Sequence, residues 1–268
     1  MHCLWRCWSC MLRYICSLLQ HNTLQQFPHA VQTLLRVEIR MEAKQFLQNV
    51  KNQLDTHILF SDRFIQHFEG MHIFERSKAQ MFAELYYPHI LRTRLYQAST
   101  LGIVQDEKIQ FVLAEIVHDE YGLGDEAQSH MQLYRNFMQG VGCEVLAAEN
   151  YEIIPELKKY ISEMEELTRN GDWLSAVAAV GIASEWPIPK YYTSLLKGFR
   201  KIPNIQEKDL ELFTSHVTLD VEHSRMIEEA VLPHLETASQ QNRFMQGINI
   251  NMNARRKLLD ALYERVFV

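Results

Sequence analysis

Two imidazoles and a carboxylate lie close together in the chain, at His216, Asp220 and His223. On a helix, positions i, i+4 and i+7 fall within about 60° of one another, so the three side chains share one stripe. Apolar residues continue that stripe, which predicts that it faces the protein interior. Two imidazoles and a carboxylate are ligands typical of non-haem iron and manganese sites. A solvated helix face with incidental histidines is the competing interpretation.

Glu185 is the only ionisable residue between Asp172 and Lys190. Its neighbours are almost all apolar, and Pro187 follows two positions later. An acid in such a segment is costly to bury unless it is paired or bound to a metal. We therefore expect Glu185 to be a metal ligand, with an ion pair to a distant lysine or arginine as the alternative.

Acids and histidines are also frequent between residues 115 and 130. Glu120 closes one predicted helix and His130 lies on the next, so an antiparallel arrangement would bring the two together. Glu115 and His118 instead lie one turn apart on a single helix, as in ferritin-like di-iron bundles. Spacing alone leaves both interpretations open. The candidates in this region are Glu115, His118, Asp119, Glu120, Asp125, Glu126 and His130.

The composition limits what kind of protein can carry these residues. The chain has 268 residues, of which 47% are hydrophobic and 22% charged, with a net charge of −6. It contains only 10 glycines and 7 prolines, which excludes a collagenous chain and disfavours a turn-rich β-sandwich. The acidic balance disfavours nucleic acid as a partner. No uncharged apolar run reaches the roughly 20 residues that span a bilayer, so we expect no membrane partner.

Helical periodicity extends through residues 41–268. Asp106 is the predicted N-cap of a helix over 107–120, and Asp172 that of the very apolar segment 173–185. No run alternates with the period of a β-strand. The sequence therefore predicts one all-α domain of seven or eight helices. Other predicted helices cover 76–99, 126–139, 152–169, 191–200, 207–235 and 238–266.

Residues 1–40 differ from the remainder. They carry four arginines against one acid, and Arg6 and Arg13 interrupt the apolar stretch that a signal peptide would need. A metal or redox cluster is the other alternative, but no second cysteine pair follows at zinc-site spacing. We expect an atypical extension, with the natural start at Met41. This stretch holds Cys3, Cys7, Cys10, Cys16, Trp5 and Trp8.

Cys143 is then the single cysteine of residues 41–268. A chain without a disulfide framework is typical of a reducing compartment. We therefore expect a cytoplasmic protein.

The pattern Glu120-x9-His130, then Glu185, then His216-x3-Asp220-x2-His223 resembles the haem-oxygenase-like di-iron oxidases, also called iron-containing redox enzymes. These are related to the TenA/PqqC-like helical bundles. The resemblance covers most of residues 41–268 and implies a haem-oxygenase-like bundle. It also implies six metal ligands, which are Glu120, His130, Glu185, His216, Asp220 and His223.

Three carboxylates and three imidazoles suit two metal ions. The resemblance implies two iron ions, with manganese as the alternative, and dioxygen as co-substrate. Members of the family oxidise small organic molecules by several different reactions. We therefore expect a non-haem di-iron oxidase or oxygenase with a small-molecule substrate, and a homodimer is compatible with such a bundle.

Aromatic residues near these candidates predict the wall of a substrate pocket, although each could equally belong to the core. The predicted wall comprises Phe82, Tyr86, Tyr87, Trp186 and Tyr191, with Tyr192 beside them. Three cations are candidates for holding a substrate carboxylate, although a solvated role suits them as well. These cations are Lys190, Arg92 and Arg94.

Two rival functions are compatible with the same residues. A ferritin-like iron-handling bundle would use Glu84, Glu115-x-x-His118 and Asp220-x-x-His223. A binding or interaction protein would keep the bundle without metal or catalysis.

Overall fold

The computed structural model describes residues 28–268, which form a bundle of α-helices with no β-strand among them. The all-α prediction is confirmed. No helix in this part of the chain is both long and apolar enough to span a bilayer. The helices are α1 (His29–Asp55), α2 (Arg63–Gly70), α3 (Arg76–Ile103), α4 (Glu107–Glu120), α5 (His130–Val141), α6 (Pro155–Asn170), α7 (Trp173–Val177), α8 (Ala183–Glu185), α9 (Ile188–Phe199), α10 (Glu211–Val231) and α11 (Ala238–Phe267).

Helix α1 passes through the predicted domain boundary without a break. It begins at His29 and continues past Met41 to Asp55. Before position 41, Leu35 is buried against the bundle while its neighbour Leu34 is exposed. Residues 29–40 therefore belong structurally to the first helix of the bundle. The four N-terminal cysteines and both N-terminal tryptophans lie outside the described residues.

An aromatic cluster centred on Phe68 fills one part of the core. The Phe68 ring centroid lies 5.3 to 5.8 Å from those of Phe74, Phe82 and Phe199. All four side chains are fully buried, and such burial is worth about 25 cal/mol for each Å² of apolar surface removed from water. Edge-to-face contacts between the rings add to this. The cluster continues through Phe213, whose centroid lies 4.7 Å from that of Phe199.

The connection between α4 and α5 contains two short 3₁₀ turns, and it fixes where α4 ends and where α5 begins. Glycine is required at Gly122, because φ is +73° and a Cβ would lie 2.6 Å from the Ser129 backbone nitrogen. Asp125 caps only a short 3₁₀ turn, and Ser129 caps α5. Helix α5 therefore begins at His130, four residues later than predicted, while the 107–120 helix and its Asp106 cap are confirmed.

A π-helical turn, Ala178–Ile182, separates α7 from α8. The Ala179 carbonyl accepts hydrogen bonds from Ser184 Oγ at 3.0 Å and from Asn251 Nδ2 at 2.7 Å. The extra residue of a π turn rotates everything after it around the helix axis, and such turns are frequent at functional sites. This rotation sets the direction in which Glu185 projects.

Candidate metal centre

The six predicted ligands are all buried and meet in the middle of the bundle. Helix α10 carries three of them, and it packs against α4, α5, α8 and α9. They form two groups, and within each group one ligand atom per residue lies within 4.8 Å of the others. The first group is Glu120, His130 and His216, and the second is Glu185, Asp220 and His223.

The first group joins the end of α4, the start of α5 and the middle of α10. His130 Nδ1 lies 3.0 Å from Glu120 Oε2, yet this nitrogen has no partner in hydrogen-bond geometry. The His130 and His216 rings are 4.2 Å apart between centroids. Side chains that approach without bonding one another are typical of ligands directed at a common point.

The tautomer of His216 follows from its backbone contact. Its Nδ1 lies 2.6 Å from the Leu212 carbonyl oxygen, one turn earlier on α10. A carbonyl only accepts hydrogen bonds, so Nδ1 carries the proton and Nε2 keeps its lone pair. Such a contact fixes the ring and leaves Nε2 available for a metal.

The second group joins α8 to the middle of α10, one and two turns after His216. His223 Nδ1 lies 3.4 Å from Glu185 Oε2 and 3.8 Å from Asp220 Oδ1. Gln97 Nε2 donates to the other Glu185 oxygen at 2.9 Å. Asp220 is 2% exposed, and its buried Oδ1 has no hydrogen-bond partner. A buried carboxylate oxygen without a donor is costly unless a cation occupies the space beside it.

The pKa values are perturbed by burial and by neighbouring charges. Burial, followed by the effect of His130, lowers the pKa of His216 to about 3, so this imidazole is neutral at pH 7. Burial and the neighbouring Glu185 raise the pKa of Asp220 well above its usual range. Burial alone would lower the pKa of His223, but the Glu185 carboxylate raises it overall. Asp220 therefore lacks enough positive charge around it. At Glu120, by contrast, burial would raise the pKa, but the neighbouring His130 lowers it overall.

The residues fit a metal centre on these grounds. Buried oxygen and imidazole nitrogen atoms converge, and the Oδ1 oxygen of Asp220 is unpartnered. Carboxylates with imidazoles are the ligands expected for iron or manganese.

A cavity of about 70 Å³ opens beside both groups. Tyr86 and Tyr192 line it, as do five of the six candidate ligands, all but His223. The other predicted wall residues do not line this cavity. The residues concerned are Phe82, Tyr87, Trp186 and Tyr191.

Each of these four aromatics has a different environment. Phe82 belongs to the aromatic core, stacked on Tyr86. The Tyr87 hydroxyl accepts a hydrogen bond from Arg135 Nε at 2.8 Å. Trp186 Nε1 donates to Asp55 Oδ1 at 2.9 Å near the surface. Tyr191 is buried beside Tyr192, behind the cavity wall.

The ferritin-like combination is not assembled. Glu84, Glu115 and His118 are exposed, so they do not face the buried Asp220 and His223. Helix α4 turns Glu120 inward and Glu115 outward, because the two are five residues apart on a helix of 3.6 residues per turn.

Two residues at the site, His89 and Arg255, were missed from the sequence, and both line the cavity. Asp119, which was one of the candidates between residues 115 and 130, has its Oδ2 3.0 Å from His223 Nε2. Arg255 lies on the buried stripe of α11 with Asn251, Leu258 and Leu262, at the spacing i−4, i+3 and i+7. That periodicity would have revealed it. The predicted carboxylate partners Lys190, Arg92 and Arg94 do not line the cavity.

The bundle has close structural relatives at low sequence identity. A domain with a heme oxygenase-like fold from Shewanella denitrificans superposes with a TM-score of 0.68 at 13% identity, covering 83% of this chain and 92% of that one. A TenA homologue from Pseudomonas syringae gives 0.66 at 11% identity, covering 82% and 92%. A CADD-like protein from Nostoc punctiforme gives 0.62 at 16% identity, covering 85% and 100%. The haem-oxygenase-like fold is thereby confirmed.

The family model described as iron-containing redox enzyme matches residues 80–256. The chain therefore belongs to the iron-containing redox enzyme family, as its resemblance implied. All six candidate ligands lie within the matched residues. No curated protein matches the sequence.

Proposed function

We propose that the protein is a non-haem di-iron oxidase or oxygenase that oxidises a small organic molecule with dioxygen. The observation that carries this proposal is the convergence of six buried side chains as two adjacent groups of three ligands. Three carboxylates and three imidazoles suit two iron ions and leave coordination positions free for other molecules. Membership of the family supports iron over manganese.

Glu120, His130 and His216 would hold one ion, and the other three residues would hold the second. Two ferrous ions bound there would supply electrons for the reaction of dioxygen with an organic substrate. The Leu212 carbonyl at 2.6 Å orients His216, and Gln97 at 2.9 Å orients Glu185. These contacts fix the ligand atoms before any metal binds.

The bundle also keeps bulk water away from this site. The cavity is small, and the buried rings of Tyr86 and Tyr192 form part of its wall. Exclusion of water strengthens electrostatic interactions inside the site and suppresses side reactions. A substrate that enters this cavity lies directly beside Glu120, Glu185 and Asp220.

The first experiment loads the full chain with ferrous iron in the absence of oxygen and measures iron per chain. We expect about two irons per chain, as in other two-metal sites, and a transient visible absorption band when dioxygen is added. His216→Ala should lose both. His118→Ala, which changes an exposed histidine of α4, is the matched control and should keep both.

The same assay separates the rival functions. Glu120→Ala should abolish stoichiometric iron binding while Glu115→Ala leaves it intact, and a ferritin-like site predicts the reverse. Iron binding that is indifferent to His216 and Glu120 would overturn the proposal. A fully loaded protein that consumes no dioxygen would favour a binding protein without catalysis.

A further inference from the structure

Arg255 is a cation buried in the wall of the cavity. It lies on α11, is only 7% exposed, and lines the same cavity as Glu120, Glu185 and Asp220. The next residue, Arg256, is partly exposed and lies 4.0 Å from Asp260. Two consecutive arginines therefore have opposite environments, and only Arg255 faces the candidate metal centre.

The guanidinium of Arg255 has no acidic partner. Among residues 28–268, no carboxylate lies within 4.0 Å of it. Its polar contacts are all with neutral groups: the Tyr160 hydroxyl, the Ala183 carbonyl at 3.4 Å from Nη1 and Ser184 Oγ at 3.4 Å from Nη2. By contrast, Arg243 lies 2.6 Å from Asp172 near the surface. A buried cation is normally paired, because the loss of hydration is otherwise uncompensated.

Other polar atoms in the same cavity also lack partners. They are His89 Nδ1, Tyr96 Oη and Gln97 Oε1, each buried without a hydrogen bond. Burial, followed by the effect of Arg255, lowers the pKa of His89 to about 3, so His89 is neutral at pH 7. The cavity therefore offers one permanent positive charge together with several unpaired donors and acceptors. Buried polar atoms of this kind indicate a polar ligand.

We infer that Arg255 binds the carboxylate of the substrate, which is therefore a compact monocarboxylic acid. As a statement about the substrate, this rests on the proposed function. The planar guanidinium presents paired N–H donors that match the two oxygens of a carboxylate. It contacts Ala183 and Ser184, the two residues before Glu185, and lines the same cavity as Glu185, so a short acid held there lies beside the candidate metal ligands.

Charge and volume restrict the ligand further. Among the described residues, Arg255 is the single arginine or lysine in the cavity wall, and its one fixed positive charge matches a ligand with one carboxylate. The volume of about 70 Å³ is under half of the roughly 150 Å³ that accommodates benzene in a protein core. A short aliphatic acid fits this space better than an aromatic or long-chain one.

The test is a calorimetric titration of the full chain with acetate, propionate and butyrate, each beside its neutral amide. It is run on the iron-free chain and on the chain loaded with ferrous iron without oxygen. The acids should bind and the amides should not. Arg255→Gln should weaken the acids about 10- to 100-fold, the usual effect of losing a hydrogen bond to a charged group. Arg256→Gln is the matched control and should bind like the wild type.

A second readout uses the unsubstituted protein, in case Arg255→Gln does not fold. With isotope-labelled arginine, the Nε–H resonance of Arg255 is assigned from its absence in Arg255→Lys. It should shift on addition of propionate and stay in place with propionamide.

Three outcomes would overturn the inference. These are failure of every acid to bind either form of the wild type, equal binding of acids and amides, and unchanged affinity in Arg255→Gln. Iron stoichiometry is measured separately in the same samples. If the wild type binds no stoichiometric iron but its acid binding depends on Arg255, the proposed function alone is refuted. If it binds two irons per chain but its acid binding does not depend on Arg255, the substrate assignment alone is refuted.

Discussion

Asp119 and His223 face each other between α4 and α10, with Asp119 Oδ2 3.0 Å from His223 Nε2. The other ring nitrogen of His223 faces Glu185 at 3.4 Å. A carboxylate on the outer nitrogen would hold a proton there, so that a metal ion could bind at Nδ1 in place of the proton that Glu185 favours on the metal-free ring. Asp119 therefore orients the His223 ring of the second ligand group. No sequence motif distinguished Asp119 from its acidic neighbours.

We predict that Asp119→Asn weakens iron binding at the second group by about 10- to 100-fold, the usual effect of losing such a supporting partner. The side chain of Asp119 forms its ion pair with His223 and not with Glu120, His130 or His216, so the first group should keep its ion. Iron per chain, measured after dialysis against graded concentrations of a chelator, should fall from about two to about one. Glu115→Gln, an exposed acid of the same helix, is the control. Equal retention by Asp119→Asn and the control would contradict the supporting role.

Asp220 should destabilise the iron-free protein. Its pKa in the folded state is raised above the ordinary 3.8 by burial and by Glu185, so the folded protein holds this proton more tightly than the unfolded chain. The contribution to stability is present below about pH 4 and is lost as the pH rises through the folded-state pKa. At pH 7 the buried carboxylate group opposes folding.

Asp220→Asn should therefore stabilise the iron-free chain at pH 7, by about 1–3 kcal/mol. That corresponds to roughly 2–4 °C in Tm for each kcal/mol. The gain should shrink as the pH approaches 4, where the wild-type carboxyl is protonated. Added ferrous iron should reverse the order, because only the wild type gains stability from binding at the second group. Thermal unfolding across pH, with and without iron, checks both statements.

Helical periodicity accounts for most of what the sequence predicted. His216, Asp220 and His223 share one stripe, and the structure places all three inward, because a helix fixes relative direction over two turns. The choice between Glu115 and Glu120 needed tertiary information, since both precede the same turn. Only the packing of α4 against α10 distinguishes them.

Other parts of the site depend on features that periodicity does not encode. The π turn before Glu185 changes the helical register within a single apolar segment, and no residue type in that segment predicts such a turn. Most of the predicted aromatic wall does not line the cavity, because closeness in sequence to a candidate ligand does not fix where a side chain points. Trp186 follows Glu185 directly, yet it points to Asp55 near the surface. The fold followed from local pattern, whereas the cavity depends on which helices meet.

Asn251 should matter for the position of Glu185. Its Nδ2 donates to the Ala179 carbonyl at 2.7 Å and lies 2.9 Å from Ser184 Oγ, so it ties α11 to the π turn. We predict that Asn251→Ala destabilises the protein by about 1–3 kcal/mol, since it removes a buried hydrogen-bond partner. It should also loosen the ion held with Glu185.

Denaturant unfolding and iron counting of Asn251→Ala measure the two effects. Asn253→Ala, an exposed asparagine on the same helix, should change neither. If Asn251→Ala lowers stability with iron binding intact, the π turn does not depend on Asn251 for its register.

At Gly247, helix α11 lies so close to α7 that there is no room for a side chain. A Cβ there would collide with the backbone carbonyl of Ser175, which is rigid and cannot move aside like a side chain. Helix propensity favours alanine over glycine by about 1 kcal/mol. Overpacking against a fixed backbone costs about 1–3 kcal/mol or more, so we expect the collision to outweigh the propensity. Gly247→Ala should therefore lower Tm by several degrees.

The matched control is Gly102→Ala near the end of α3. A Cβ at Gly102 meets nothing within 4 Å, so only helix propensity acts, and this variant should be stabilised by up to about 1 kcal/mol. The two glycine substitutions are therefore predicted to have opposite signs. Thermal unfolding of both variants under one condition checks this. Stabilisation of both would mean that α7 and α11 separate easily, and the cavity wall that carries Arg255 would then be less rigid than this packing implies.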